Sequence, residues 1–313
     1  MSSKNLKIDS DNDGRRIDNY LFNLYKTLPK SKIYSMLRKG EVRVNSGRIK
    51  PTYKLKLNDE IRIPPYLIDF KDNTPDLMIP SSRIDQFLSS IIYQNEDYIL
   101  VNKEPGISVH SGTSNHFGLI DIARAEFPNL EIDLCHRIDK ATSGCILLSK
   151  NKKFLRHFHQ QLKTNKVVKK YEAILLGVLL DDIEVATNID VSTKEHIHSV
   201  QEADYGKKAI SNFKIIKKYN SFTYVEIIIS TGRTHQIRVQ SANLNHPIVN
   251  DKRYGLFRIN KYIGKETSIN RLALHASSIE FNELDGTLST FSALKNNDFD
   301  ILLSKLANLT VKS

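Results

Sequence analysis

Residues 135–144, CHRIDKATSG, place a single carboxylate among several cations. If the stretch is extended, Arg137 and Asp139 point to one side of the chain, while His136 and Ile138 point to the other. The ATSG that follows predicts a tight turn, which would hold Asp139 at the mouth of a loop. An aspartate held close to arginines is expected to stay ionised.

An ionised carboxylate in this position suits a nucleophile or an electrostatic stabiliser better than a general acid. The residues alone leave open a second interpretation, in which Asp139 only caps the turn. A kinase catalytic loop does not fit, because an isoleucine interrupts His-Arg-Asp and the sequence has no glycine-rich phosphate loop and no Asp-Phe-Gly. The sequence also lacks a G-x-S-x-G elbow, which disfavours a serine hydrolase.

Metal and cofactor chemistry have little support in the sequence. The pairs His157/His159 and His196/His198 have the H-x-H spacing of some metal sites, but neither pair has a third ligand nearby. Two cysteines are too few for a disulfide framework or a Cys-rich zinc site, and no nucleotide-cofactor loop is recognisable. We therefore expect no metal and no cofactor.

The charge of this chain is concentrated in one segment. Its 313 residues have a formal net charge of +11, yet residues 14–63 alone contain 13 Lys or Arg against 4 Asp or Glu. Such a segment favours a polyanionic partner over a membrane surface, because it has no obvious basic amphipathic helix. The polar start and the short apolar runs predict neither a signal peptide nor a membrane span. We expect a cytoplasmic protein with reduced thiols.

The basic segment, residues 14–63, is predicted to form a compact unit of two helices and a small sheet, after a disordered leader over residues 1–13. Pro29 ends the first helix, and Gly40 ends the second. Several cations on or just after the second helix could bind phosphates, and they are Lys30, Lys32, Arg38, Lys39, Arg43 and Arg48.

Residues 87–313 are predicted to form a larger α+β domain with a mostly antiparallel mixed sheet, joined to the first unit by a linker over residues 64–86. Strand-like stretches include SGCILLSK, KKYEAILLGVLL and FTYVEIIIS, and a hairpin is expected across Asp285-Gly286. KFLRHFHQQLKTN predicts an amphipathic helix, and TGRTHQIRVQSANL predicts a turn that leads into another helix.

Two known families share these patterns. GRRIDNYLFN and LPKSKIYSMLRKGEVRVNSGRIKP resemble the S4 domain, a small RNA-binding module. CHRIDKATSG resembles the H-R-L-D-x-x-T-S-G signature of the RluA-type pseudouridine synthases, and NKEPGISVHSG, KKYEAIL and STGRTHQIRVQ…HPIVNDKRYG resemble three further blocks of that family. Gln240 stands where the family's usual histidine follows R-V. The resemblance implies a pseudouridine synthase fold for the larger domain.

The resemblance also implies an enzyme that isomerises specific uridines in large-subunit (23S) ribosomal RNA to pseudouridine without a cofactor. Asp139 matches the family's reacting aspartate, and Tyr171 matches the tyrosine that contacts the flipped base. Arg238 matches the arginine that pairs with the aspartate, and a bidentate pair would hold that carboxylate ionised and aimed.

RNA contacts follow from the same resemblance. Arg137 matches an arginine that inserts near the flipped nucleotide, whereas Arg233 and His235 are expected to shape the turn or to contact phosphate. We expect a monomer with RNA as its partner. Two other functions stay open: a non-catalytic factor for ribosomal RNA binding or assembly, and a nuclease or phosphotransferase that uses Asp139 as a base.

Overall fold

The structure is a computed structural model, and it describes residues 4–9, 12–25, 28–67, 78–111, 117–194, 197–202 and 206–311. The chain divides into two compact units, Met1–Met78 and Ile79–Ser313, and each has its own hydrophobic core. Within the described ranges, no helix is both long enough and apolar enough to cross a membrane.

The first unit combines two helices with a small antiparallel sheet. Its described elements, in chain order, are β1 (Lys4–Lys7), α1 (Ile17–Leu24), α2 (Lys30–Lys39), β2 (Arg43–Val44) and β3 (Glu60–Ile63). The strand β3 lies between β1 and β2 and pairs with both. The helix α2 ends at Gly40, whose φ of 71° is in the left-handed region that glycine tolerates. The predicted unit of two helices and a small sheet is thereby confirmed.

The start of the chain differs from the prediction. Residues 1–13 were expected to form a disordered leader, but part of this segment forms β1 and pairs with β3 from Lys4 to Lys7. Ile8 is buried in the core of the first unit. The prediction was wrong here because a polar segment with one apolar anchor gains its order from strand pairing, which local composition does not reveal.

The connecting segment also differs from the prediction. A linker was expected over residues 64–86, but Pro65–Leu67 forms a 3-10 helix and Leu67 joins the core of the first unit. Near the other end, α3 (Ser81–Ser89) begins the second unit and buries Phe87. Residues 68–77 lie outside the described residues.

The second unit is built on a mixed sheet of eleven described strands. In chain order the strands are β4 (Ile91–Gln94), β5 (Tyr98–Lys103), β6 (Asp133–Leu134), β7 (Ser143–Ser149), β8 (Val168–Leu176), β9 (Ile183–Lys194), β10 (Ile197–Glu202), β11 (Lys207–Lys218), β12 (Phe222–Ile229), β13 (Leu274–Asn282) and β14 (Leu288–Ser292). Their spatial order is β10-β9-β11-β12-β8-β13-β7-β5-β4, with β14 beside β13 and β6 beside β7. The pair of β13 with β7 is parallel, and the other recorded pairs are antiparallel, which confirms the predicted sheet.

Helices cover both faces of this sheet. Those described are α4 (Leu119–Glu126), α5 (Lys152–Lys163), α6 (Gln236–Asn243), α7 (Phe257–Thr267) and α8 (Asn297–Leu306). The strand β7 is therefore buried on both faces. On one face, Leu147 packs in the core that contains Phe154 and Phe158 of α5. On the other face, Ile146 and Leu148 pack in the core that contains α4. Burial on both faces explains why SGCILLSK is a continuous apolar run instead of an alternating one.

Three segments of the second unit converge at one end of β8. The predicted extended stretch 134–139 is a strand only at its start, where β6 ends at Leu134, and the rest is a loop that leads into β7. Lys169 and Tyr171 lie on the same face of β8, and Lys169 is paired with Ile229, the last residue of β12. A turn then connects β12 to α6.

Candidate active site

The three segments enclose a cleft in the second unit. Its empty space, including the part open to solvent, is about 570 Å³. The cleft brings together the six residues that the sequence singled out in this unit, and they are Arg137, Asp139, Tyr171, Arg233, His235 and Arg238.

Asp139 binds its neighbours through one of its two carboxylate oxygens. The Oδ2 atom accepts a hydrogen bond from Nη1 of Arg238 at 3.2 Å and lies 3.8 Å from Nε2 of His235. Within the described part of the chain, no hydrogen-bond donor is recorded on Oδ1. The side chain is 17% exposed, so a ligand in the cleft has access to this carboxylate.

The T-S-G part of the signature anchors the loop that carries Asp139. The backbone N–H of Thr142 donates to the carbonyl of Asp139 at 3.1 Å and closes the turn. Gly144 has a φ of +109°, and a Cβ there would lie 2.1 Å from the carbonyl oxygen of Ala276 on β13. Only glycine allows β7 to approach β13 this closely.

Ser143 ties the same loop to β13 through a buried histidine. Nε2 of His275 lies 3.0 Å from the carbonyl oxygen of Ala293, so this nitrogen carries the proton. Nδ1 of His275 therefore accepts a hydrogen bond from the hydroxyl of Ser143 at 2.9 Å. The Ser143 oxygen in turn accepts from Nη2 of Arg271 at 2.8 Å. The hydrogen bonds of Ser143, His275 and Arg271 thus hold the start of β7 in place.

A buried lysine holds the other side of the loop. Nζ of Lys103 donates to the carbonyls of Glu104, Ile107 and Lys140, at 2.8, 2.9 and 3.2 Å. The N–H of Gly106 also donates to the carbonyl of Lys140. Burial lowers the pKa of Lys103 to about 7. The N-K-E-P-G stretch therefore anchors the loop that carries Asp139 through the carbonyl of Lys140.

Arg238 contacts two carboxylates in different ways. Its Nε and Nη2 atoms bind Asp251 at 2.7 and 2.9 Å, and its Nη1 atom binds Asp139. Burial favours a higher pKa for Asp251, but the hydrogen bonds and the charge of Arg238 outweigh it and lower that pKa. The bidentate pair expected between Arg238 and Asp139 is therefore made with Asp251, which the sequence did not indicate as a partner.

His235 stands at the turn before α6. Its φ of 55° is left-handed, and its Nδ1 lies 2.8 Å from the hydroxyl of Tyr254. Burial lowers its pKa, against the raising effect of Asp139. The ring of Tyr254 also packs under the guanidinium of Arg238, 5.1 Å from the ring centre. His235 therefore occupies the left-handed position of this turn and is tied to Tyr254.

His136 faces away from the cleft, as the alternation predicted. The backbone N–H of Leu147 donates to its Nε2 at 3.1 Å, so the proton of the neutral ring is on Nδ1. The ring stacks on Phe158 with a centroid distance of 6.1 Å. Burial and the charge of Lys169 lower the pKa of His136 to about 3, which keeps this ring neutral at physiological pH.

The remaining predicted residues line the cleft at different depths. Tyr171 is 7% exposed, and burial together with the charge of Asp139 raises its pKa. Arg137 and Arg233 are exposed at the rim, and Nε of Arg233 donates to the carbonyl of Lys208 at 3.0 Å. Lys169 also lines the cleft, but no motif singled it out beyond its place two residues before Tyr171.

Gln240, the departure from the family pattern, is completely buried on α6. Its Oε1 accepts from the hydroxyl of Ser211 at 2.6 Å. Its Nε2 lies 3.2 to 3.3 Å from oxygens of Val185, Thr187 and Ala209. The amide therefore fastens α6, and with it Arg238, to β9 and β11.

The cations predicted for RNA binding in the first unit form two groups. Lys30 and Lys32 lie in the first turn of α2, where their ammonium groups cover Phe22 and Tyr66. The other four surround the C-terminal end of α2. Arg38 and Lys39 lie in its last turn. Arg43 donates a hydrogen bond to the carbonyl of Gly40, and the side chain of Arg48 packs against Gly40. Most of these side chains are exposed, so they are free to reach a ligand.

Histidines of the H-x-H pairs have structural partners. Nε2 of His157 lies 2.9 Å from the carbonyl oxygen of Asn282, and Nε2 of His159 lies 3.2 Å from that of Cys135. His196 and the side chain of His198 lie outside what the structure describes. Among the described residues, no group of three or more His, Cys, Asp or Glu could hold a metal ion.

A cationic cleft around one accessible carboxylate, on an α+β unit that follows a small basic domain, is the arrangement expected of an enzyme that acts on a nucleic acid. Comparisons with known proteins specify the class. A family model described as RNA pseudouridylate synthase matches residues 97–243, and a model of the S4 domain matches residues 15–61. The chain belongs to the RNA pseudouridine synthase family.

Individual relatives extend this likeness over nearly the whole chain. A ribosomal large subunit pseudouridine synthase C from Haemophilus influenzae is 39% identical over 97% of this chain and 95% of its own length. A protein of the same name from Buchnera aphidicola is 38% identical over 88% of each chain. The resemblance read from the sequence motifs is thereby confirmed.

Solved structures support the fold. The human RNA pseudouridylate synthase domain containing 4 has a TM-score of 0.60 at 23% identity, over 72% of this chain and 95% of its own. The human domain containing 1 protein has a TM-score of 0.53 at 24% identity, over 75% of this chain and all of its own. The predicted fold class is confirmed.

Proposed function

We propose that this protein converts specific uridines of large-subunit (23S) ribosomal RNA to pseudouridine, with Asp139 as the nucleophile. The names of its relatives support the choice of RNA. The catalytic assignment rests on one observation: Arg238 binds Oδ2 of Asp139 in the cleft, while no donor in the described residues occupies Oδ1. One oxygen is held and the other is available to react.

The reaction is an isomerisation. The N1–C1′ bond of uridine breaks, the uracil turns in place, and a C5–C1′ bond forms. The hydrogen on C5 leaves as a proton and N1 gains one, so no electrons are exchanged and no redox cofactor is needed. Attack of Asp139 on C6 of the base, attack on C1′ of the ribose, and a route through a glycal are all compatible with this geometry.

Access to the aspartate requires the uridine to leave the RNA stack, at a cost of a few kcal/mol. Arg137 stands at the rim of the cleft, where its planar guanidinium is suited to fill the vacated place by stacking. Tyr171 lies deeper and provides an aromatic surface for the extruded base. Arg238 keeps the carboxylate oriented throughout.

The first unit supplies general affinity for RNA in this proposal. Its exposed cations displace counterions from phosphates, and RNA helices are recognised largely by shape and backbone. We infer a monomer that acts in the cytoplasm.

Mapping of pseudouridine in ribosomal RNA tests the proposal. Large-subunit RNA from cells that lack this gene is incubated with the purified protein in EDTA, and each modified position is identified. We expect new pseudouridine with wild-type protein and none with Asp139→Ala or Asp139→Asn. Conversion of no uridine by the wild type would support the non-catalytic binding factor, and cleaved RNA would support the nuclease.

A further inference from the structure

Lys169 is a buried cation that the proposed chemistry does not use. It lies on β8, two residues before Tyr171 and on the same face of the strand. Its side chain lines the cleft together with Asp139 and Arg233, although the residue is only 8% exposed. A buried ammonium normally needs a paired anion or several hydrogen bonds to offset its lost hydration.

Such partners are missing for Lys169 in the part of the chain that the structure describes. No salt bridge or hydrogen bond to its ammonium is recorded there, and the charge that acts on it is that of another cation, Arg233. Burial and that cation lower the pKa of Lys169 to about 8. By contrast, Lys103 is even more deeply buried but donates to three carbonyls, and Lys170 faces Glu226.

The space next to the ammonium is open because the adjacent turn carries a glycine. A Cβ at Gly232 would lie 3.3 Å from Nζ of Lys169, so any larger side chain would crowd the ammonium. Gly232 itself is exposed at the cleft. The N-terminus of α6 follows directly at Gln236 and adds positive potential to the same wall.

We propose that Lys169, together with Arg233, binds a phosphate group of the RNA backbone next to the flipped uridine. The inference rests on the proposed function. A phosphate is favoured over a carbonyl of the uracil because two neighbouring cations require a negative charge, which a neutral carbonyl does not supply. In this proposal the phosphate binds on the β8 side of the cleft, and the uridine reacts on the side that carries Asp139 and Arg238.

Replacement of Lys169 by methionine tests this role. Lys169→Met keeps the apolar stem and removes the charge, so RNA binding is expected to weaken by roughly 10- to 100-fold. The slope of log affinity against log salt should fall by about one. Stability of the RNA-free protein should be unchanged or higher, because the variant removes a largely buried charge that has no partner among the described residues. Lys169→Arg should retain most of the affinity.

Lys170→Met is the matched control. This neighbour points to the opposite face of β8 and forms its ion pair with Glu226, so its replacement should leave RNA affinity within about twofold. Lower stability of Lys169→Met with unchanged RNA affinity would show that Lys169 is merely structural, and it would overturn the inference.

A substrate with one neutral phosphate identifies the group that Lys169 binds. The probe is a short RNA around a uridine that the wild type converts, with one methylphosphonate at either phosphate flanking that uridine. At one of the two positions, the methylphosphonate should weaken wild-type binding as much as Lys169→Met does, and it should cause no further loss in the variant. Additive losses at both positions would mean that Lys169 contacts the base, against the inference. Absence of wild-type conversion would instead refute the proposed function.

Discussion

Arg238 forms two hydrogen bonds with Asp251 and one with Asp139. The two-point contact fixes the plane of the guanidinium, because a carboxylate matches its paired N–H groups. The single remaining contact reaches Oδ2 of Asp139, the proposed nucleophile, and none of the described residues donates to its Oδ1. Asp251 is therefore expected to act through Arg238, as a positioning residue for Asp139.

Asp251→Asn tests this positioning. The amide keeps the shape of the side chain but loses its charge and places a donor against the guanidinium. We expect the single-turnover rate to fall about 100-fold, as for a reacting group displaced by about 1 Å, while the Kd for RNA changes less than about threefold. Asp285→Asn, at an exposed hairpin turn, is the control. Loss of affinity and rate in equal measure would contradict a positioning role.

Loss of Arg238 should separate turnover from binding. Arg238→Ala alone leaves Asp251 buried without its cation, at a cost of roughly 3–5 kcal/mol, so the double variant Arg238→Ala/Asp251→Ala is the better test. We expect no detectable pseudouridine, with RNA affinity retained within a few fold. A filter-binding titration beside a turnover assay checks this. Residual turnover above about a tenth of the wild-type rate would argue against the assignment of Arg238.

Gly144→Ala should destabilise the second unit. The new Cβ would collide with the carbonyl of Ala276, so β7 must move away from β13. We expect a loss of more than about 3 kcal/mol in the free energy of unfolding by urea. Gly286→Ala is the control, since its φ of +90° is also left-handed but nothing lies within 4 Å of its Cβ. That variant should lose only about 1–2 kcal/mol.

The neutral His136 should make the protein sensitive to acid. Its pKa is about 3 in the folded protein and about 6.5 in an unfolded chain. Between about pH 3 and pH 6.5, the unfolded chain therefore binds a proton on His136 that the folded protein does not bind. The free energy of unfolding should therefore fall as the pH drops from about 6.5 toward 3, by up to about 2 kcal/mol at pH 5 from this residue. His136→Gln can still accept from Leu147 and should show a shallower decline. Urea titrations of both proteins at pH 7 and pH 5 measure the free energy of unfolding at each pH. An equal loss of stability between the two pH values in both proteins would exclude His136 as a cause.

The cations around the end of α2 should govern RNA affinity without affecting chemistry. Replacement of all four by glutamine should reduce the salt slope of binding by up to about four and leave the rate at saturating RNA unchanged. The four are Arg38, Lys39, Arg43 and Arg48. Glutamines at four exposed lysines of the second unit serve as the control, and they are Lys153, Lys163, Lys166 and Lys214. A lower saturated rate in the first variant would show that these cations also serve catalysis.

Local patterns were sufficient for much of the fold. The helix α5 and the hairpin of β13 and β14 were predicted because periodic apolar residues and an Asp-Gly turn report directly on local structure. The strand β1 was missed because its order depends on pairing with β3, more than fifty residues away. The helix α3 was missed because a proline-rich context concealed its start at Ser81.

The sequence by itself determined the family, the separate basic domain, and the place of Asp139 at a loop, because these follow from motifs and from charge that is local in the chain. Tertiary structure alone decided which further groups meet the residues that the motifs had singled out. Asp251 takes the two-point contact of Arg238, and Lys169 lies buried beside Arg233 without a counter-ion in the described residues. Burial and distance depend on the whole packed sheet, so no short stretch of sequence could have revealed either relationship.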